Sequence, residues 1–270
     1  MSLLLLIAAL VAIATRRLRV PYSVGLVATG MFLAVFRVDP QLQLTRDLIF
    51  SILLPPLIFE AALALRWSDL RKDLAIIVAL ATVGVVLSAA VTAAGMWWLA
   101  GWSWTAACLF GALIAATDPV SVIALFKEAG VRGRLRTLIE AESLFNDATA
   151  AVLFAVAAAY TEGQSLTPGL LAVSLSKAIG AGMMCGVVVG GVVLFLTRRT
   201  GDHLVEVTLT AIGAYASFLL AEHFGGSGVL ATLCAGLMIG NLAPVGTISS
   251  RGRLALETFW EFVAFVSNSL

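Results

Sequence analysis

Apolar positions in this chain come in long unbroken runs, separated by short polar breaks. Ten runs stand out, at about 2–15, 20–36, 46–65, 74–99, 104–126, 137–160, 168–197, 203–222, 228–243 and 256–270. A helix that crosses the hydrocarbon of a bilayer needs about 20 mostly apolar residues, so each run predicts one span. The runs do not alternate polar and apolar positions, which excludes a β-barrel. The first run has no basic segment before it, and Arg16 and Arg17 follow directly, so it reads as an uncleaved helix. The breaks carry an independent signal. The odd-numbered loops hold 14 Lys and Arg and the even-numbered loops hold 2, with Lys177 inside the seventh run. Basic residues favour the cytoplasmic side, which predicts cytoplasmic odd loops and an external N-terminus. The expected fold is therefore all-α and polytopic, with about ten transmembrane helices.

Composition narrows the function classes. Of 270 residues, 60% are hydrophobic and only 12% are charged. A soluble domain carries about a quarter charged residues, so a water-soluble enzyme, a nucleic-acid binder and a disordered chain all fit poorly. The net charge of +1 offers nothing to a nucleic acid. Cys108, Cys185 and Cys234 sit singly in apolar runs and read as small core residues. Membrane lipid is the partner that this composition implies.

Charged groups in mid-membrane are costly, so each one there asks for a reason. Asp39, Asp47, Asp69, Asp73, Glu128, Glu162, Asp202 and Glu257 lie at run ends or in loops, where solvation or helix capping accounts for them. Glu206 and Glu222 lie near the ends of the eighth run, and Glu261 lies inside the last. Deep in the fifth run stands Thr117-Asp118-Pro119. Proline removes a backbone donor and forces the preceding residue out of helical geometry. The run therefore predicts an interrupted helix whose freed backbone groups are satisfied locally by Thr117 and Asp118. Transporters build ion sites from such breaks, although a plain proline kink with a capping Asp has the same sequence.

The sixth run holds Glu140, Glu142, Ser143, Asn146 and Asp147, just after the basic loop Arg132, Arg134, Arg136. A helix starting near Thr137 puts Asp147 about 15 Å from the cytoplasmic end, near the midplane. Ser143 and Asp147 are four residues apart and share a stripe, and Glu142 and Asn146 share the next one. Ala148, Thr149, Ala150 and Ala151 follow and allow close helix approach. Interhelical glue is the structural alternative for Asn146 and Asp147. Glu140 is placed to pair with the basic loop. Glu60, after Pro55-Pro56, either snorkels to the interface or lines an entry path to Asp147. Lys177 has no evident acidic partner in sequence.

Oxygen donors without His or Cys suit hard cations. A carboxylate in a low dielectric keeps its proton near neutral pH, and a small cation with extra oxygen ligands can replace that proton. Two cations competing for one carboxylate is the least machinery an exchanger needs. Composition does not select sodium over potassium or lithium.

These residues resemble the monovalent cation:proton antiporter-1 family, the sodium/proton antiporters and sodium/hydrogen exchangers. The resemblance rests on Ala-Thr117-Asp118-Pro119-Val-Ser-Val and Glu142-Ser143-Leu-Phe-Asn146-Asp147. Further matches follow in family order: Pro21-Tyr-Ser-Val-Gly-Leu, Leu-Leu-Pro55-Pro56-Leu-Ile-Phe-Glu60, Ser227-Gly-Val-Leu-Ala through Gly240-Asn241, and Phe259-Trp260-Glu261-Phe. The resemblance implies a homodimer of thirteen-span protomers in the cell (inner) membrane, with a broken fifth span in half of an inverted-repeat core. It implies that Asp147 binds sodium or a proton and that Ser143 and Glu60 are ion ligands, so that Asp147 and Ser143 hold the sodium. Thr117 would offer oxygen near the crossing, and Asp118 would stabilise the broken helix ends. Asn146 and Glu142 would be structural, with Glu142 paired to an arginine of a later span. An Asn-Asp pair implies electroneutral exchange in most of the family. No cofactor is implied; sodium and protons are cargo.

The chain ends inside the tenth run, so spans eleven to thirteen are expected beyond it, and 1–270 alone is expected not to transport. Within the chain we expect residues 1–99 to hold scaffold helices and the first core helix, 100–165 the core spans with the ion site, and 166–270 linker and scaffold helices. The alternatives are a potassium/proton antiporter, a channel, a scaffold and an intramembrane protease. Gly225-Gly-Ser227-Gly228 matches a rhomboid-type motif, but His203 and His223 both precede Ser227, so those glycines read as a tight turn before the ninth run.

Overall fold

The computed structural model describes residues 2–18, 22–35, 45, 48–117, 119, 122, 126, 133–161, 168–242 and 250–269. Ten helices lie among the described residues, one for each apolar run, and no strand. They are α1 (Ser2–Leu18), α2 (Tyr22–Val35), α3 (Leu54–Ala64), α4 (Trp67–Trp98), α5 (Trp104–Leu113), α6 (Arg134–Thr161), α7 (Pro168–Thr197), α8 (His203–His223), α9 (Gly228–Leu242) and α10 (Ser250–Ser269). A π-helical stretch, Leu48–Leu53, leads into α3, and a second, Leu80–Gly84, widens α4.

Four described helices contain stretches long and apolar enough to cross a membrane: Trp67–Trp98, Arg134–Thr161, Ser176–Thr197 and His203–His223. Shorter apolar helices lie within α1, α2, α3, α5 and α9. The helix starts differ from the apolar runs. Helix α4 begins at Trp67 rather than residue 74, α6 at Arg134 rather than 137, and α10 at Ser250 rather than 256. Each extra turn is polar, and an apolar run marks only the part of a helix meant for lipid.

Local chemistry sets the helix ends. The Ser103 hydroxyl accepts from the Ala106 amide at 3.3 Å and caps α5. The Asp202 carboxylate does the same for α8, accepting from Leu204 at 2.9 Å. Pro55 and Pro56 fill the first turn of α3, where a missing amide costs least. The Tyr215 hydroxyl of α8 donates to the Ile52 carbonyl just before them (3.1 Å). Helices α8 and α9 are joined by the expected tight turn. Gly225 adopts φ +70°, the Gly226 amide donates to Ala221 O at 2.7 Å, and the Ser227 hydroxyl accepts from Leu230.

Helices in lipid gain little from apolar burial against one another, so close van der Waals contact has to hold them. Glycine supplies it around α9. Gly182, Gly186 and Gly190 form one stripe of α7, and any Cβ there would press on Ser227, Ala231 or Ala235. Across α9, a Cβ on Gly236 would sit 2.7 Å from Ala62 Cβ, and one on Gly240 would sit 2.5 Å from Leu63 O. The core next to this seam holds Phe59, Val193, Leu194, Ala235, Ile239 and Trp260. The Phe59 and Trp260 rings are 4.5 Å apart, and the indole N–H donates to Thr210 Oγ1 at 3.1 Å.

Candidate ion site

Helix α5 stops at Leu113, and Ala115–Thr117 continue as non-helical backbone. The interruption expected at Thr117-Asp118-Pro119 therefore begins a turn earlier. Asp118 lies outside the described residues. The oxygens of Thr117 are taken up by α6. The Ser143 hydroxyl donates to Thr117 O at 3.0 Å. The Asn146 amide donates to Thr117 Oγ1 at 2.7 Å and reaches Thr117 O at 3.4 Å. Asn146 is fully buried against the break and carries two donors.

Asn146 also donates to Glu142 Oε1 at 3.0 Å, one turn back on the same stripe. Its Oδ1 is buried with no partner among the described residues. The break, the hydroxyl, the amide and the carboxylate thus form one hydrogen-bonded group. Asp147 follows Ser143 by one turn and is exposed at the surface of the described residues. Ala148 and Ala150 are buried beside it, against Ile58 of α3 and Val85 of α4, as their small size predicts.

The site is held in register from the α4 side. Arg134, at the start of α6, grips the Asp73 carboxylate of α4 with two nitrogens; Nε lies 2.8 Å from Oδ2. In sequence Asp73 passes for an ordinary loop carboxylate, and its partner is 61 positions away, so nothing local marks it. Glu140 pairs with the basic loop as expected, through Arg136 at 2.7 Å.

Glu60 is half-buried in α3 and makes no hydrogen bond into the Thr117 group. The charged groups that act on it are Glu261 of α10 and Glu140 of α6. Glu60 thus has carboxylates of both α6 and α10 for neighbours. Lys177 lies over the α8–α9 turn, where a Cβ on Gly225 would sit 3.3 Å from its Nζ. Glu222 also serves that turn and accepts from the Gly228 amide at 3.2 Å. Glu206 is fully buried in the first turn of α8. Asn241, quoted in sequence only as part of a motif, stitches α9 to the α3–α4 corner: it donates to Leu65 O at 2.9 Å and accepts from the Trp67 amide at 2.6 Å.

Comparison with known proteins identifies the family. Residues 3–270 match the model of the sodium/hydrogen exchanger transmembrane family. The chain is 43% identical over 256 residues to the Na(+)/H(+) antiporter ApNhaP of Aphanothece halophytica, which covers 93% of the chain and 48% of that protein. It is 42% identical to the low-affinity Na(+)/H(+) antiporter NhaS1 of Synechocystis, with the same coverages. The chain thus spans about half the length of these relatives. The solved sodium proton antiporter MjNhaP1 from Methanocaldococcus jannaschii shares the fold, with a TM-score of 0.80 at 19% identity over 99% of this chain and 68% of its own. Matched almost end to end by that family model, this chain belongs to the sodium/hydrogen exchanger family.

Proposed function

We propose that the whole protein containing this chain exchanges sodium, or lithium, for protons across the cell membrane, through competition of the two cations for Asp147. The observation that carries the reading is the Thr117 carbonyl, freed from its helix and held by Ser143 and Asn146 one turn from Asp147. A carbonyl, a hydroxyl and a carboxylate are the donor set that a hard monovalent cation takes. Asp147 and Ser143 are the sodium ligands in this reading, with Thr117 oxygen completing the set. Asp118 steadies the broken ends. Asn146 and Glu142 are positioning residues. Glu60, half-buried with two carboxylates for company, lines the approach and attracts cations toward the site. The N-terminus is external and the basic loops are cytoplasmic. The working unit is a homodimer embedded in lipid. No covalent chemistry is involved, and the relatives' names describe antiporters.

The test is flux. The full gene product, reconstituted in liposomes with a trapped pH-reporting dye, should move protons when sodium is added outside. Lithium should substitute, and potassium should not. A proton flux driven by potassium alone would move the assignment to a potassium/proton exchanger. No cation-driven flux at all would remove the reading.

A further inference from the structure

Four of the chain's six tryptophans crowd into one turn, between α4 and α5. Trp97 and Trp98 close α4, and Trp102 and Trp104 flank Ser103, which caps α5. Gly101 has φ +70° and lets the chain reverse within this short loop. The rings are organised: Trp97 meets Trp104 edge-on at 5.7 Å, and Trp102 meets Phe110 at 5.3 Å. They are not buried, however. Trp97 is 52% exposed, Trp98 80%, Trp102 42% and Trp104 50%, whereas Trp260 is 1% exposed in the core. Neighbouring Leu99 is 80% exposed. From Leu74 through Thr117 there is no Asp, Glu, Lys, Arg or His at all.

We infer that this turn is an interfacial anchor, which seats its indole rings at the boundary between hydrocarbon and headgroups of a phospholipid bilayer. Water is a poor partner for four large exposed rings and a leucine. The hydrocarbon centre is a poor partner for four indole N–H groups. The boundary satisfies both, which is why Trp and Tyr collect there. Length agrees. The uncharged part of α4, Leu74 to Trp98, rises about 36 Å at 1.5 Å per residue, a little more than the roughly 30 Å of hydrocarbon. Its polar first turns, with Asp69, Lys72 and Asp73, therefore emerge on one side as the indoles reach the boundary on the other.

The anchor fixes more than its own depth. The Asp73–Arg134 clasp sets the second turn of α4 level with the start of α6. Asp147 is 13 residues beyond Arg134, about 20 Å, and Trp97 is 24 beyond Asp73, about 36 Å. Asp147 then lies about 16 Å inward of the indole layer, half the thickness of the hydrocarbon. The aromatic turn thus holds the site-bearing helices in register with the membrane midplane. The inference rests only on the chain being an integral membrane protein, not on which ion it carries.

The test uses the full gene product, with tryptophans outside the turn changed to Phe, in vesicles of phosphatidylcholine brominated at defined depths. Bromine near the headgroup should quench the remaining fluorescence at least twofold more than bromine near the chain ends. The converse variant, with Phe at 97, 98, 102 and 104, should lose that shallow-quenched component. Equal or deeper-favouring quenching would overturn the inference. So would quenching by aqueous iodide with no lipid dependence. Failure of the protein to float with the vesicles would instead overturn the membrane reading itself.

Discussion

Asn146 has two amide hydrogens and three oxygens within reach of them, all supplied by Thr117 and Glu142. Inside a helix bundle this makes it the pin that keeps the broken end of α5 against α6. Replacing it with Leu leaves the Thr117 hydroxyl and the Glu142 carboxylate short of a donor, at a cost of about 1–3 kcal/mol. We expect the Asn146→Leu protein to melt several degrees lower in detergent; an unchanged melting temperature would show that the pin is idle. Ser143 has a different part. Its hydroxyl reaches the same carbonyl from the stripe that bears Asp147. Ser143→Ala should weaken apparent sodium affinity more than maximal rate, and a change in rate alone would rule it out as a ligand. Both residues are legible in the sequence, because polar side chains at four-residue spacing deep in an apolar run are too costly to stand there without a task. The oxygen they share is not legible: it is the Thr117 backbone carbonyl, and backbone atoms leave no mark on composition. The long reach from Arg134 to Asp73 is hidden for a related reason, since each residue passes for a solvated loop charge when read alone.

Among elements, the seam between α7 and α9 makes the sharpest demand on sequence. Gly186 faces Ala231 and Cys234 so closely that a Cβ has no room, while Gly191, on the opposite side of α7, meets nothing within 4 Å. Gly186→Leu should therefore force the helices apart and lower the melting temperature steeply. Gly191→Ala should leave it unchanged or raise it slightly, because alanine is the better helix former by about 1 kcal/mol. Equal effects at the two positions would contradict the packing described. Glycines three and four apart in an apolar helix signal close contact, yet they do not say with which neighbour. The apolar runs locate the ten helices found among the described residues, and the proline in the fifth locates its interruption to within a turn. They miss the polar first turns of α4, α6 and α10, which belong to the helices but not to the apolar stretch. They also give no hint of the π-helical turns at Leu48–Leu53 and Leu80–Gly84.

At the scale of the molecule, the proposed orientation rests on the basic loops. Arg132 and Arg134 should be reachable only from the cytoplasmic face. Single cysteines placed at either position, in a background without Cys108, Cys185 and Cys234, should react with a membrane-impermeant thiol reagent in inverted vesicles and not in intact cells. Labelling from outside would invert the topology. The orientation decides which gradient does work, while the site decides what is exchanged, and the latter is the claim on which the others depend. The most direct test is sodium-driven proton flux in liposomes that contain the full gene product with Asp147→Asn. An amide at that position cannot carry a proton in exchange for a cation, so the flux should fall to the level of protein-free vesicles, with Asp147→Glu retaining part of it at altered sodium affinity. Undiminished flux through the Asn variant would contradict the account at its centre.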